Sequence, residues 1–514
     1  MKIYHFDLKI SMYKIEYIKE WFSKLKELGF DGILIEIDNK LVFPSHPEFA
    51  SSDALDCNQW NSLVRYAKSI GLFVYPLLQT LGHMEHLLKG SNRFYHLMED
   101  PNNIYMMCPS REDTFKLVSD LMRDLHGIFE MPGIIHLGGD EAFGHLLNKG
   151  GVPCPYCRSE NKGKLVLKYL KRLAHEAVKT GMIPEFWADE VLAYPEELRG
   201  FPRETRFTDW EYSRESEYSN DMGRIWGAAD LFGKSIDKSR IQDNQRSLIP
   251  FMFAKDGRFD NFYGAHYLGK LGYGVTIASA VRSSGDCYAL PRIKKMIRNV
   301  GVCEAVSKKT GYDHLVTSWA VRMSHPETTI PGLIASDPRQ YEKPEQITSS
   351  LGGLGSEEIV LLADTAAGIR HIDIPTEHEM RFQRPYFDDY IKTVIKIIDE
   401  GEKETIMNRL DDRIQKGKES LKMLQNRTGD TCCLQHWING IRLCILRSEQ
   451  LKGILEAYTG NIDRRAMKRL HSRNLELLED FRSLWSKSVT DDSLDHEIEI
   501  KFSRDIRILE NLSV

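Results

Sequence analysis

The sequence predicts a parallel (β/α)8 barrel followed by a helical domain, and three observations carry that expectation. Eight short apolar runs recur through about residue 340, longer amphipathic stretches lie between them, and beyond about residue 385 only helical patterns remain. A chain of 514 residues exceeds one ordinary core, although a single barrel can absorb more than half of it. The expected division is a barrel over 1–385 and an α-helical domain over 386–514.

The eight runs are "IYHFDLK" (3–9), "GILIEID" (32–38), "LFVYPLLQ" (72–79), "GIIHLGGD" (133–140), "IPEFWAD" (183–189), "TRFTDWE" (205–211), "YGVTIASA" (273–280) and "HLVTSWAV" (314–321). Near-continuous apolarity suits parallel strands covered on both faces. In "YIKEWFSKLKELG", Ile18, Trp21, Phe22, Leu25 and Leu28 recur at helical spacing, and Gly29 is placed to end the helix. "DTFKLVSDLMRDLHGIF" and "GKLVLKYLKRLAHEAVKTG" repeat the pattern. A doubly wound open sheet is the rival arrangement. After residue 385, "YFDDYIKTVIKIIDEGEKETIMNRL", "CCLQHWINGIRLCILRSEQLKGILEAY" and "RAMKRLHSRNLELLEDFRSLWSKS" all read as amphipathic helices.

Hydrophobic residues make up 42% of the chain, charged residues 28%, and the formal net charge is −5. That balance asks for neither nucleic acid nor an anionic membrane as partner. No run approaches the roughly 18 apolar residues of a spanning helix, and no leader pattern opens the chain. Nine cysteines, an odd number without regular spacing, suit reduced thiols, so a cytoplasmic location is expected. "CPYC" at 154–157 is half of a zinc-like knuckle with no second pair following, and is read as a loop carrying two thiols. No metal and no cofactor are expected. Arg464, Arg465, Lys468 and Arg469 are interleaved with acids and read as a solvated helix face; a homodimer through this region is a weaker expectation.

In barrels the chemistry sits where strands end. Those ends carry Asp7 and Lys9; Glu36, Asp38 and Asn39; Gln79 and then "LGHMEH" with His83 and His86; Asp140 and Glu141; Trp187 and Asp189; Asp209, Trp210, Glu211 and Tyr212; Trp319 and Arg322. Three of the chain's eight tryptophans at three strand ends suggest apolar walls around a ligand that also takes many hydrogen bonds. A pyranose has both needs.

"IIHLGGDEAFG" (134–144) sets Asp140 beside Glu141. Side chains alternate along a strand, so both can face one ligand only where the strand ends and the chain turns. Gly138 and Gly139 remove side chains at that point. Adjacent carboxylates raise one another's pKa, which lets one stay protonated as a general acid while the other stays ionised. That division of labour suits glycosidic cleavage. A metal is the competing use, but His136, Asp140 and Glu141 lack a second histidine at ligand spacing nearby.

"HLGGDEAFG" resembles the His-x-Gly-Gly-Asp-Glu signature of glycoside hydrolase family 20, the β-N-acetylhexosaminidases. "QTLGHMEH" is similar to that family's Gly-His segment after strand three, and "FWADE", "DWEYS" and "SWAVRMSH" to its later tryptophan-bearing strands. The similarity is strongest to the hexosaminidase D type and covers roughly residues 1–370. It implies substrate-assisted hydrolysis with retention: the substrate's 2-acetamido oxygen attacks the anomeric carbon, Asp140 orients and charge-stabilises the acetamido group, and Glu141 protonates the leaving oxygen and then deprotonates water. It also implies that Trp187, Trp210 and Trp319 wall the pocket and that His83 and His136 support the sugar or the acids. Two departures stand out. Where the family carries a sugar-gripping arginine at the end of strand one, this chain has Asp7 and Lys9, with Glu36, Asp38 or Arg322 as substitutes; and no strand-seven tyrosine matches, which leaves Tyr212 as the candidate for the acetamido group. The expected partner is a small oligosaccharide or glycoside with a terminal N-acetylhexosamine. A non-catalytic sugar-binding barrel, or another acetamido-assisted hydrolase, is the alternative.

Overall fold

The structure is a computed structural model and describes residues 1–101, 103–129, 133–142, 154–157, 161–283, 285–336, 356–366, 387–428 and 431–513. They fall into two compact units that interleave along the chain. One comprises Met1–Lys9, Lys19–Ser279 and Val302–Thr317; the other comprises Ile10–Ile18, Ala280–Gly301 and Ser318–Val514. The boundary expected at 385/386 lies outside the described residues.

Eight strands form a closed barrel: β1 (Lys2–Asp7), β2 (Gly32–Glu36), β3 (Phe73–Leu77), β4 (Ile134–His136), β5 (Ile183–Trp187), β6 (Arg206–Trp210), β7 (Gly274–Arg282) and β8 (Asp313–Ser318). They close in the order β1-β8-β7-β6-β5-β4-β3-β2. Each expected run supplies one of these strands, so the closed barrel holds and the open sheet does not. Register joins Asp7 to Glu36, Glu36 to Leu77, Leu77 to His136 and His136 to Glu185, which brings the polar ends of β1, β2 and β4 onto one rim. Inside the barrel, Glu185 accepts from Thr208 Oγ1 at 3.1 Å and Thr276 Oγ1 at 2.6 Å, with Arg206 Nε 3.6 Å away. All three contacts fall on Oε1, and they offset part of the cost of burying this carboxyl.

The connecting helices include α1 (Ile15–Glu27), α2 (Cys57–Ser69), α3 (Glu112–Phe129), α4 (Lys162–Lys179), α5 (Tyr263–Lys270) and α6 (Ile293–Thr310). On α1 the stripe Trp21, Phe22 and Leu25 is buried, and Gly29 takes the left-handed φ of 77° that ends such a helix. A capping box of Asp56 and Gln59 starts α2, and the Asn161 side chain accepts from Lys164 N to start α4. Each cap answers backbone donors that the first turn leaves unpaired.

The second unit is helical: α7 (Ser356–Ala366), α8 (Phe387–Asp399), α9 (Lys403–Leu424), α10 (Thr431–Tyr458), α11 (Arg464–Trp485), α12 (Asp491–Ile498) and α13 (Arg504–Ser513). The first of the three C-terminal segments breaks into α8 and α9 at Gly401, whose φ is 70°. The helix α10 packs between α9 and α11 and is buried on several sides, with Trp437, Ile441, Cys444, Leu451 and Leu455 all enclosed. Arg464, Arg465, Lys468 and Arg469 lie exposed on α11, with Met467 and Leu470 on its buried side. Among the described residues, no helix is long and apolar enough to cross a membrane.

Candidate active site

The strand β4 is only three residues long, and the turn after it sets the site. Trp187 N still bonds Gly138 O at 3.1 Å, so the chain remains at the rim through Gly138. Gly138 and Gly139 then take φ values of 56° and 84°. A Cβ on Gly138 would stand 2.3 Å from Gln79 Oε1, and one on Gly139 would stand 3.0 Å from the Leu170 side chain, so neither position accepts a larger residue. Glu141 is itself left-handed at φ 48°. This reversal breaks strand alternation and turns two adjacent acids toward one imidazole.

That imidazole is His83. Its Nε2 lies 3.4 Å from Asp140 Oδ2 and 3.3 Å from Glu141 Oε2. Burial works against the His83 cation, but the charges of Asp140 and Glu141 outweigh it and hold the pKa well above its ordinary value. His83 is left-handed too, at φ 56°, and a Cβ on the preceding Gly82 would meet Asp140 O at 2.9 Å. Asp38, His83 and Glu141 are three of the four non-glycine residues with positive φ among those described, so backbone strain concentrates at the ends of β2, β3 and β4.

The two acids differ in setting. The Asp140 side chain is 7% exposed and that of Glu141 is 32% exposed. Asp140 Oδ1 is buried with no hydrogen-bond partner among the described residues. Backbone groups around Glu141 are fixed from three sides. The Tyr105 hydroxyl donates to Glu141 O at 2.9 Å and lies 3.3 Å from His83 Nε2; Glu141 N donates to Asp189 Oδ2 at 2.9 Å; Ala142 N donates to Glu190 Oε1 at 3.1 Å. Asp189 Oδ1 also accepts from Trp210 Nε1 at 3.3 Å. Burial, then the neighbouring charges of Glu190 and Asp140, push Asp189 well above the usual carboxyl range. Trp210 packs against Trp226 at 4.5 Å and Tyr212 at 5.3 Å, an aromatic cluster that Trp210 Nε1 ties to Asp189.

A second polar group fills the rim at β1 and β2. Asp7, Glu36 and Asp38 converge there, all buried. Lys9 reaches into them, bonding Glu36 and lying 3.7 Å from Asp38 Oδ2. Burial disfavours the Lys9 charge, yet Asp7, Glu36 and Asp38 together keep it firmly protonated, and Lys9 in turn holds Glu36 below the usual carboxylate range against burial. The ammonium thus already occupies the role a cation would play among these carboxylates. Glu36 also accepts from Gln79 Nε2 at 2.6 Å and meets His5 Nε2 at 2.8 Å. Gln79 joins this group to the turn, because its other end lies over Gly138. His136 is buried beneath Trp187 at 4.5 Å, receives Gly138 N on Nδ1 at 3.1 Å, and is pushed down to about 3 by burial and the charge on His5. It is a neutral ring with its proton on Nε2. Trp187, 1% exposed, supports that ring more than it offers a face.

Asp209 takes Arg214 Nη2 on both oxygens at 2.9 and 3.0 Å, and Glu211 is bound to Arg224 and Ser213, so both are structural acceptors. Trp319 and Arg322 group with the second compact unit; Trp319 is half-buried, and the Arg322 side chain lies outside the described residues. Sequence reasoning missed Tyr105 and Trp226, neither of which falls in a motif. Among donor sets, His83, Asp140 and Glu141 have ligand atoms within 4.8 Å of one another, as do Cys108, Cys154 and Cys157.

Comparison with known proteins agrees with the resemblance read from the motifs. The family model "Glycosyl hydrolase family 20, catalytic domain" matches residues 44–222, which contain His83, Asp140, Glu141, Trp187 and Trp210. Hexosaminidase D of Homo sapiens is 28% identical over 226 residues, covering 41% of this chain and 45% of that protein. Hexosaminidase D of Bos taurus is 28% identical over 268 residues, covering 49% of this chain and 75% of that protein. The chain thus spans less than half of the human relative. A chitobiase structure from Flavobacterium johnsoniae aligns with 98% of this chain and 77% of its own, at 13% identity and a TM-score of 0.47.

Proposed function

We infer that this chain is a family 20 β-N-acetylhexosaminidase, releasing terminal β-linked N-acetylglucosamine or N-acetylgalactosamine from small glycosides with retention. The observation that carries the reading is the pair Asp140 and Glu141, turned to one side by left-handed backbone and shared by a single imidazole. Their unequal exposure fits two unequal tasks. Asp140, enclosed and with Oδ1 unpartnered among the described residues, suits a fixed charge that receives an acetamido N–H and steadies the positive charge of an oxazolinium. Glu141 is the more exposed and suits the group that must hand a proton to the leaving oxygen and then take one from water. His83 offsets the repulsion between them until substrate arrives. The wall of Trp210, Tyr212 and Trp226 suits the apolar face of a pyranose. No cofactor enters, because neighbouring-group attack and proton transfer complete the reaction.

The test is hydrolysis of an aryl N-acetyl-β-glucosaminide monitored by NMR. Turnover with the β-anomer appearing first supports the reading. Binding without turnover would instead select a non-catalytic sugar-binding barrel, and first release of the α-anomer would exclude a retaining mechanism.

A further inference from the structure

Cys154 and Cys157, separated by Pro155 and Tyr156, form a tight turn in which Cys157 N bonds Cys154 O at 2.9 Å. The chain's third partner for that turn comes from far away. Cys108 Sγ lies 3.4 Å from Cys154 Sγ and 3.5 Å from Cys157 Sγ, and all three sulfurs fall within 4.8 Å of one another. We propose that Cys108, Cys154 and Cys157 hold a structural zinc ion that joins the loop after β3 to the loop after β4.

The spacing distinguishes this from the other fates of thiols. A tetrahedral ion with metal–sulfur bonds of about 2.3 Å sets its sulfurs about 3.8 Å apart. A disulfide brings two sulfurs to about 2.05 Å and leaves the third aside, whereas here Cys108 is almost equidistant from both others. Three thiolates and a CxxC turn are the soft donor set that zinc takes, with the fourth corner left to water or another side chain. The surroundings resemble an outer shell. Ser110 Oγ stands 3.3 Å from Cys157 Sγ, placed to donate to it. Arg111 lies over the Tyr156 ring at 4.4 Å and donates to its hydroxyl at 3.1 Å, which ties the chain beside Cys108 to the residue between the paired cysteines.

The place of the cluster gives it a purpose. Cys108 directly follows the hairpin Met98–Asp100/Asn103–Met107, and that hairpin carries Tyr105, the residue bonded to Glu141 O and adjacent to His83. Cys154 and Cys157 lie on the chain that leaves Glu141 and enters α4. Closing two long loops on each other is entropically costly, and an ion bound by both offsets that cost where the acids need fixed geometry. A bare cluster of thiols packed on Leu165 is the bland rival.

The full chain, purified without a histidine tag or added metal under reducing conditions, should contain about one zinc per molecule by elemental analysis. Cobalt(II) exchange should give the intense absorption of a thiolate-bound tetrahedral ion. Cys108→Ser should lower the metal content at least tenfold, although Cys108 is 46 positions from the CxxC turn. Metal below a tenth of an equivalent in the wild type, with no cobalt–thiolate band, would overturn the proposal. So would mass spectrometry of unreduced protein showing a disulfide within the trio. Both readouts are made on the wild type, so they stand if the variant fails to fold, and they are independent of the hydrolytic activity.

Discussion

His83 Nε2 lies 3.4 Å from Asp140 Oδ2 and 3.3 Å from Glu141 Oε2, so one imidazole touches both members of an adjacent acid pair. The arrangement resolves a conflict written into the sequence. Two neighbouring carboxylates repel, which disfavours ionising both at once. A cation between them removes that pressure and leaves their protonation to be set by substrate.

The first prediction concerns this cation. His83→Asn tolerates the left-handed backbone and removes the titrating ring. With the positive charge beside the acid pair gone, the acidic limb of kcat/KM should move upward. The check is a pH–rate profile for wild type and variant. An unmoved limb would mean that His83 does not govern the charge of the pair.

Stability should carry the same signature. The folded pKa of His83 lies well above its ordinary value of 6.5, the value expected in the unfolded chain. The folded state therefore binds more protons over that interval, and its contribution, complete below about 6.5, is lost as pH rises through the folded pKa. The wild-type melting temperature should fall across this window more steeply than that of His83→Asn. Parallel slopes would contradict the ion pairing.

How much of this was legible depends on the range of each interaction. Barrel strands announce themselves by local apolarity, and the turn after β4 by its two glycines, since both are properties of neighbouring residues. Tyr105 and Cys108 were not legible, because each acts through partners dozens of positions away that only the hairpin after β3 brings close. Lys9 read as a departure from a family pattern; its burial among Asp7, Glu36 and Asp38 depends on strand register, which composition does not encode. Asp209 and Glu211 looked like site acids for the same reason that Asp140 did, and only their bonds to Arg214 and Arg224 separate them from it.

Two glycine substitutions should have opposite signs. Gly138→Ala places a Cβ 2.3 Å from Gln79 Oε1 on a residue with φ 56°, and should cost about 1–3 kcal/mol from backbone strain alone. Gly127 lies inside α3, where an added Cβ would meet nothing within 4 Å, and Gly127→Ala should gain about 0.5–1 kcal/mol. Chemical denaturation of both measures the contrast. A neutral Gly138→Ala would show that the turn adapts and that its geometry is not fixed by Gln79.

The final prediction asks whether the two acids differ in role as they differ in exposure. If Glu141 is the proton donor, Glu141→Gln should recover on substrates whose leaving group is already acidic, because such a group departs with little protonation. Asp140→Asn should show no such recovery. On the proposed reading its task is to hold the acetamido group for attack and to stabilise the charge of the cyclic intermediate, and that need persists whatever the leaving group. The buried Asp140 Oδ1, unpartnered among the described residues, is the atom positioned for it. A stable thiazoline mimic of the intermediate should inhibit the wild type strongly and lose most affinity in Asp140→Asn. The experiment compares both variants on a good and a poor leaving group and titrates the thiazoline against each. Equal leaving-group dependence together with no thiazoline inhibition of the wild type would remove the substrate-assisted mechanism. The nucleophile would then have to be sought in Asp189, whose carboxyl is instead held well above its usual range and bound to Glu141 N and Trp210 Nε1.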